Sequence, residues 1–375
     1  MNPRVTGIQG SLIREIAAKK RHTSIDLGLG EPSLMPTKAH LDFAMEYVLT
    51  NGLRYTANAG DMELRSHIAR HYGYPGLGSG ENVCVTTGSQ EAMYVVLKSL
   101  LDPQTDELLI VEPSFPSYLK MATLEGIDAR TVAMSVNDDF AFDAERILAA
   151  ITPRTRAIVV CSPCNPTGRC ITQAEAEVLV DGLEARGGSP IWLIHDEIYR
   201  EQCFITDAAD LARLYAHTIV TNSLSKSNAL TGLRLGWIIA PTQQLEAMIK
   251  CHAWVTSCAD SFAQAVARSI FATSGGLREH ATWYSATRDL VSDSLSSSGL
   301  RALPIDGSFY ACIELPHRDS LQAALQLVEE YDVVAIPGRA FGACFEGWLR
   351  LSWVAGADVA REGVARIAEF MTTYA

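Results

Sequence analysis

The sequence predicts an α/β fold with a mainly parallel sheet, joined to a smaller α+β unit. Two observations carry this expectation. Between residues 83 and 239, six short and almost continuously apolar runs alternate with helical stretches, the pattern of strands buried on both faces. After about residue 240 the alternation stops, and long helical stretches lead to isolated β-type segments. The length, 375 residues, is enough for roughly two or three domains.

The elements follow in order. Val83-Cys84-Val85-Thr86 reads as a strand and leads into a helix through Ala92-Met93-Tyr94-Val95-Val96-Leu97. Leu108-Leu109-Ile110-Val111, Ala157-Ile158-Val159-Val160-Cys161 and Ile191-Trp192-Leu193-Ile194 are the next strands, then Thr218-Ile219-Val220 and Gly236-Trp237-Ile238-Ile239. Helical stretches are expected over about 242–273 and 276–298. Phe309–Ile313 and Trp348–Ser352 read as strands, and a helix over about 358–374 closes the chain. No repeat period, low-complexity tract or long linker interrupts this order, so the domains are expected to pack closely.

Composition narrows the function classes. Apolar residues make up 48% and charged residues 20%, the balance of a core-forming protein and not of a disordered chain. The formal charge of −12 argues against a nucleic-acid binder, because nothing concentrates the positive charge that displaces counterions from phosphates. No apolar run approaches the ~18 residues of a membrane span. The start, Met1-Asn2-Pro3-Arg4-Val5-Thr6-Gly7, lacks a signal-like apolar stretch, so the expected location is cytoplasmic. The nine cysteines are expected to be free thiols. Cys161-Ser-Pro-Cys164 has redox or metal-ligand spacing, but no second such pair accompanies it, so a structural role is expected and no metal site.

In sheets of this kind ligands bind at the carboxyl ends of strands, and the residues just past each apolar run are the chemically informative ones. The first run is followed by Gly88-Ser89-Gln90, a turn opening a helix, which is either a phosphate seat or an ordinary helix cap. The second is followed by Phe115, a ring that could stack on a flat ligand or simply pack. The third leads to Asn165-Pro166-Thr167-Gly168, which alone reads as a turn. The fourth ends in His195-Asp196-Glu197-Ile198-Tyr199, and a carboxylate at a buried strand end needs a cation. His195 points to the face opposite Asp196 and reads as structural. The fifth is followed by Ser223-Leu224-Ser225-Lys226 and then Gly232-Leu233-Arg234-Leu235-Gly236, combining hydroxyls, an amine and a guanidinium within a short span. The cluster Gly76-Leu77-Gly78-Ser79-Gly80 precedes a strand instead of following one, which argues against a dinucleotide loop.

In that order and spacing, these blocks resemble the class I/II pyridoxal-phosphate-dependent aminotransferases of the aspartate aminotransferase family, from about Val5 to the C-terminus. The resemblance implies the fold type I architecture, with a mainly parallel seven-stranded sheet in a large domain over 40–260. The small domain would then be made of 1–39 and 261–375. It also implies that Lys226 holds pyridoxal 5'-phosphate as a Schiff base and later moves the proton at the substrate's Cα. Asp196 would pair with the ring nitrogen, Tyr199 and Asn165 with the ring oxygen, and Phe115 would stack on the ring. Ser89, Gln90, Ser223, Ser225 and Arg234 would bind the phosphate.

Three further blocks match. Tyr55-Thr56-Ala57-Asn58-Ala59-Gly60 resembles the segment whose Tyr reaches a partner subunit's phosphate, which implies a homodimer. Gly30, in Leu29-Gly30-Glu31-Pro32, would lie over the substrate. Arg350, with Asn165, would hold the substrate's carboxylate, a task that suits a planar fork.

The implied reaction moves an amino group between an L-amino acid and a 2-oxo acid by ping-pong kinetics. The same scaffold also hosts C–S lyases and ring-forming synthases of the capreomycidine synthase type, and non-catalytic sensors share it. Side-chain specificity is expected near Ile8–Ser11, Leu34–Pro36, the region after Tyr55 and Ser257–Phe262. None of these presents a distinctive second arginine, so aspartate is not singled out as the donor.

Overall fold

A computed structural model describes residues 1–75 and 79–374. Gly76, Leu77 and Gly78 of the glycine cluster lie outside the described residues. The strands are β1 (Ile25–Asp26), β2 (Val83–Thr86), β3 (Glu107–Glu112), β4 (Asp128–Ala133), β5 (Thr155–Cys161), β6 (Trp192–Asp196), β7 (Thr218–Ser223), β8 (Gly236–Ile239), β9 (Tyr310–Glu314), β10 (Val333–Val334), β11 (Ile336–Pro337) and β12 (Trp348–Ser352).

Seven of them form the large sheet, in the order β2-β8-β7-β6-β5-β3-β4. β8 runs antiparallel to both its neighbours and the other pairs are parallel. The α/β expectation with a mainly parallel sheet therefore holds. Because β2 and β7 flank one reversed strand, β2 points the same way as β7, β6, β5 and β3. All five carboxyl ends, and the start of β8, thus share one edge.

Side chains along the central strands alternate between two apolar layers, as the pleat requires. Leu108, Ile110, Ala157, Val159 and Ile194 face one layer, with Met93 and Val96 from the Ser89–Leu100 helix. Leu109, Ile158, Val160 and Leu193 face the other, with Leu179 and Leu183 from the Gln173–Ala185 helix. Burial on both faces is why these strands read as continuous apolar runs.

β9, β11 and β12 form a separate antiparallel sheet, with Arg350 of β12 opposite Cys312 of β9 and Ile336 of β11. β1 pairs in parallel with β10, Ile25 opposite Val333, so the N-terminal segment is stitched to the C-terminal third. The Ala357–Tyr374 helix packs Val364 and Ile367 into the core of that third.

Two expectations differ in detail. The helical stretch expected over 242–273 is two helices, Thr242–Val255 and Ser261–Ala272, and the stretch expected over 276–298 is a 3-10 turn, Gly276–Arg278, followed by the Ala281–Ser298 helix. Asp260 caps the second, its side chain accepting from the Ala263 N–H at 2.7 Å, and Ser257 sits at φ +72°. β4 was not expected at all. It is the edge strand, with Asp128, Arg130 and Thr131 exposed, so it carries no apolar run to read.

Candidate active site at the carboxyl edge of the large sheet

The edge collects the end of β6, the turns after β2, β3, β5 and β7, and the start of β8. Gly88 precedes the Ser89–Leu100 helix at φ +82°, and no side chain caps that helix. Its first-turn N–H groups, at the positive end of the helix dipole, are therefore available to an anion. The Arg234 guanidinium lies against the same turn: a Cβ on Gly88 would meet Arg234 Nη2 at 2.6 Å. Gly236 allows the turn to sit this close to β8, since a Cβ there would lie 2.6 Å from the Ser89 nitrogen. Gln90 and Arg234 line a hollow of about 450 Å³ together with Thr87 and Ser117. Ser223 at the end of β7 accepts from the Ser225 N–H at 3.1 Å. Ser89, Gln90 and Arg234 thus gather around one turn, with Ser223 one register step away, opposite Gly236.

Asp196 ends β6, buried at 8% exposure. Its carboxylate accepts from the Tyr118 hydroxyl at 2.6 Å and the Ile198 N–H at 3.2 Å. Neither donor is a cation, and burial pushes this carboxyl above the usual carboxylate range. Phe115 is half-buried and packs edge-to-face on Tyr118, 6.3 Å between centroids. His195 faces away, as expected, pairing with Glu197 at 3.0 Å. Burial raises the Glu197 carboxyl, but Arg200 at 2.8 Å and His195 outweigh it and hold the group down at about 2.

A chain of polar contacts then links the two sheets. Lys226 Nζ donates to the Gly30 carbonyl at 2.6 Å. Burial, helped by the nearby Arg350 cation, lowers the Lys226 ammonium to about 8. Arg350, at 2% exposure, donates from Nη2 to the Gly28 carbonyl at 2.6 Å and from Nη1 to Asn165 Oδ1 at 2.9 Å. Asn165 Nδ2 reaches the Tyr199 hydroxyl at 3.5 Å, and Tyr199 meets the Tyr310 hydroxyl at 3.2 Å. Tyr310 closes the circle. Its ring lies 4.1 Å from the Arg350 guanidinium carbon, and a Cβ on Gly30 would fall 2.0 Å from its hydroxyl. Any side chain at position 30 would displace the Tyr310 hydroxyl.

Over residues 22–368 the sequence matches the family described as aminotransferase class I and II. This chain belongs to that family. Arginine–pyruvate transaminase from Pseudomonas aeruginosa is 34% identical over 91% of this chain and 88% of its own length. Aspartate aminotransferase from Pyrococcus horikoshii is 32% identical over 97% of this chain and 95% of its own. Among solved structures, Thermus thermophilus aspartate aminotransferase with maleate superposes with a TM-score of 0.89 at 28% identity, covering 98% and 99% of the two chains. The Thermotoga maritima aspartate aminotransferase reaches 0.92 at 26%, covering 99% and 100%.

The fold is that of the fold type I enzymes, and the chain is a pyridoxal-phosphate-dependent aminotransferase. The lyase, synthase and sensor alternatives are not favoured. No described helix is long and apolar enough to cross a membrane.

The aminotransferase brings every expected site residue to this edge except Tyr55, which is 88% exposed. Sequence reasoning missed four contributors. Tyr118 holds Asp196, and Tyr310 joins Arg350 to Tyr199. Gln202 Nε2 and the Tyr284 hydroxyl both donate to the Lys226 carbonyl, at 3.2 and 2.7 Å. For Tyr118 a signal existed: it follows the same strand end as Phe115, at the second residue of the Ser117–Glu125 helix.

Proposed function

We propose that this aminotransferase attaches its cofactor through Lys226 and binds the α-carboxylate of an amino acid with one substrate-binding arginine, Arg350. One observation carries the reading. The Lys226 ammonium and the Arg350 guanidinium both rest on neutral carbonyls of the same glycine segment, Gly30 and Gly28, beside Asn165 and Tyr199. A carboxylate is a stronger acceptor for a planar fork than a backbone carbonyl, so Arg350 is poised to exchange Gly28 for substrate.

The residues fit the cofactor. Asp196 is a buried carboxylate without a cation and suits the ring nitrogen; Phe115 suits the ring face. Tyr199 and Asn165 suit the ring oxygen. The uncapped turn at Ser89 and Gln90, with Arg234, Ser223 and Ser225, suits the phosphate. Bound pyridoxal phosphate supplies an aldehyde and an electron-withdrawing ring that stabilises charge left at the substrate's Cα.

Lys226 serves as nucleophile and as the proton carrier at Cα, and both tasks need the neutral amine. With its ammonium at about 8, roughly a tenth of Lys226 is neutral at pH 7, about 300-fold more than an unshifted lysine would offer. Capture of the cofactor by the apoenzyme should therefore quicken about tenfold from pH 6 to 7 and level off above about 8. Stopped-flow absorbance reads this directly, and a flat profile over pH 6–8 would remove Lys226 from the role.

The donor we propose is an amino acid with a single carboxylate. Segments 8–11, 34–36, 56–60 and 257–262 hold no arginine to receive a second one. Relatives include an arginine–pyruvate transaminase, so a long or cationic side chain fits as well as an apolar one. A panel of L-amino acids with pyruvate or 2-oxoglutarate, scored by 2-oxo acid released, tests both points. Best turnover with aspartate would overturn the donor assignment, and pyruvate plus ammonia without a transaminated product would overturn the reaction.

The proposed division is a large cofactor domain over 40–260 and a small domain of 1–39 with 261–375, supported by the pairing of β1 with β10. We place the enzyme in the cytoplasm as a homodimer. Met35, Leu49, Leu53 and Tyr55 are each more than two-thirds exposed along one stretch, a concentration that suits a partner surface. If Tyr55 reaches the partner's phosphate, Tyr55→Phe loses one charge-assisted hydrogen bond, about 1.5–3 kcal/mol, and cofactor affinity falls on the order of 10–100-fold. Unchanged affinity in a dimer verified by sedimentation would contradict this.

A further inference from the structure

Cys170 and Cys203 are far apart in sequence, yet their Sγ atoms lie 3.7 Å apart. Three segments meet at this contact. Cys203 forms an isolated antiparallel bridge with Gly307, and the Phe204 N–H donates to the Asp306 carbonyl at 2.8 Å. A Cβ on Gly307 would fall 2.9 Å from Cys170 Sγ, so glycine is what admits that sulfur. Arg169, beside Cys170, pairs with Asp306 at 2.9 Å. The two cysteines also differ in access. Cys170 is buried at 4% exposure beside a cavity of about 40 Å³, whereas Cys203 is half-buried. Within the contact, the Cys170 thiol and the Ile205 carbonyl surround Cys203. The hydrogen bond with Cys170 lowers the Cys203 thiol against the opposing effect of burial, and raises Cys170. The more accessible sulfur is thus also the readier thiolate.

We propose that Cys170 and Cys203 form an oxidisable dithiol that closes to an intramolecular disulfide and thereby disturbs the Lys226 site. With hydrogen peroxide as the oxidant, the Cys203 thiolate attacks one peroxide oxygen. The O–O bond breaks, hydroxide leaves and takes up a proton, and a sulfenic acid remains on Cys203. Cys170 then attacks the Cys203 sulfur, the S–S bond forms, and the sulfenic oxygen departs as water with the Cys170 proton. Two thiols lose two electrons and two protons, and one peroxide becomes two waters.

Closure brings the sulfurs from 3.7 Å to about 2.05 Å. The movement has a direct route to the site. Gln202, next to Cys203, donates its backbone N–H to the Tyr199 carbonyl at 2.8 Å and its side-chain amide to the Lys226 carbonyl at 3.2 Å. The Ser308 N–H returns to the Gln202 carbonyl, two residues before Tyr310.

The sequence makes the experiment clean. Trypsin cuts after Arg156, Arg169, Arg186, Arg200 and Arg213, so Cys170 and Cys203 each fall alone in a peptide, 170–186 and 201–213. Cys161 and Cys164 fall together in a third, 157–169. The holoenzyme is titrated with hydrogen peroxide, its free thiols are alkylated, and the digest is weighed without reduction. The expected product is peptide 170–186 joined to 201–213, two hydrogens lighter than the pair. It appears together with a shift in the visible cofactor band, and dithiothreitol reverses both. Cys203→Ser, or Cys170→Ala should the first fold poorly, abolishes both. Recovery of Cys170 and Cys203 as separately alkylated or over-oxidised peptides would overturn the dithiol. The joined peptide with an unmoved band would overturn its coupling to Lys226. The peptide mass does not depend on which substrate the enzyme takes, so it stands apart from the donor assignment.

Discussion

Lys226→Ala is expected to cost about three orders of magnitude in turnover or more, because one substitution removes both the nucleophile that attaches the cofactor and the proton carrier at Cα. The fold is not expected to suffer. The contacts that anchor this position, from Gln202 and Tyr284, go to the Lys226 carbonyl and survive the substitution. What is lost is an ammonium that burial already disfavours. Cofactor should still enter, held at Ser89, Gln90, Arg234 and Asp196, but without the covalent link. The variant should therefore retain cofactor through gel filtration poorly and lack the visible band of the wild type, with an unchanged far-ultraviolet dichroism spectrum. Turnover within tenfold of the wild type would exclude Lys226 as the attachment point.

What the sequence discloses about this enzyme follows from where its chemistry sits. The central strands are buried on both faces, so each is a compact apolar run, and the residues after the runs meet because five strands point to one edge. Asp196, Asn165 and Lys226 are legible for that reason. Tyr118 and Tyr310 are not. Their roles depend on which hydroxyl meets which neighbour: Tyr118 rises from the helix after β3 to reach the end of β6, and Tyr310 arrives from the other sheet. No periodicity encodes a meeting between two separate elements. The same holds for the Cys170–Cys203 contact, where spacing drew notice to Cys161 and Cys164 and the packed pair lay elsewhere.

The break at Thr256–Asp260 was legible in principle, since Asp260 is a helix-capping residue, but the surrounding apolar pattern masks it. Edge strand β4 lacked any signal of its own, because half-exposed strands need no apolar run. Tyr55 is a different case. It is 88% exposed in the single chain, and its proposed role rests on the family resemblance.

Asp196→Asn separates stability from catalysis, with opposite expected signs. In the wild-type apoenzyme the buried carboxyl titrates above its unfolded value. Between those two values the folded state binds more protons than the unfolded chain, so this group's contribution to stability falls as pH rises through that window. Above that window the buried carboxyl is a burden to the fold. Asparagine, of nearly the same shape, removes it, with its amide oxygen accepting from the Ile198 N–H and its NH2 donating to the Tyr118 hydroxyl. The apo variant should therefore melt no lower than the wild type at pH 7. Turnover should move the other way. Without a carboxylate against the ring nitrogen, its proton is no longer held, and the loss of one such buried charge partner is expected to cost on the order of 10²–10³-fold. Cofactor binding should weaken less than turnover, because the phosphate contacts are untouched. The discriminating measurement is the rise in melting temperature on adding cofactor. It should be larger for the wild type, whose buried carboxylate finally gains a cation, than for Asp196→Asn. Equal rises with equal turnover would mean that Asp196 serves the fold alone and that the ring nitrogen is held elsewhere.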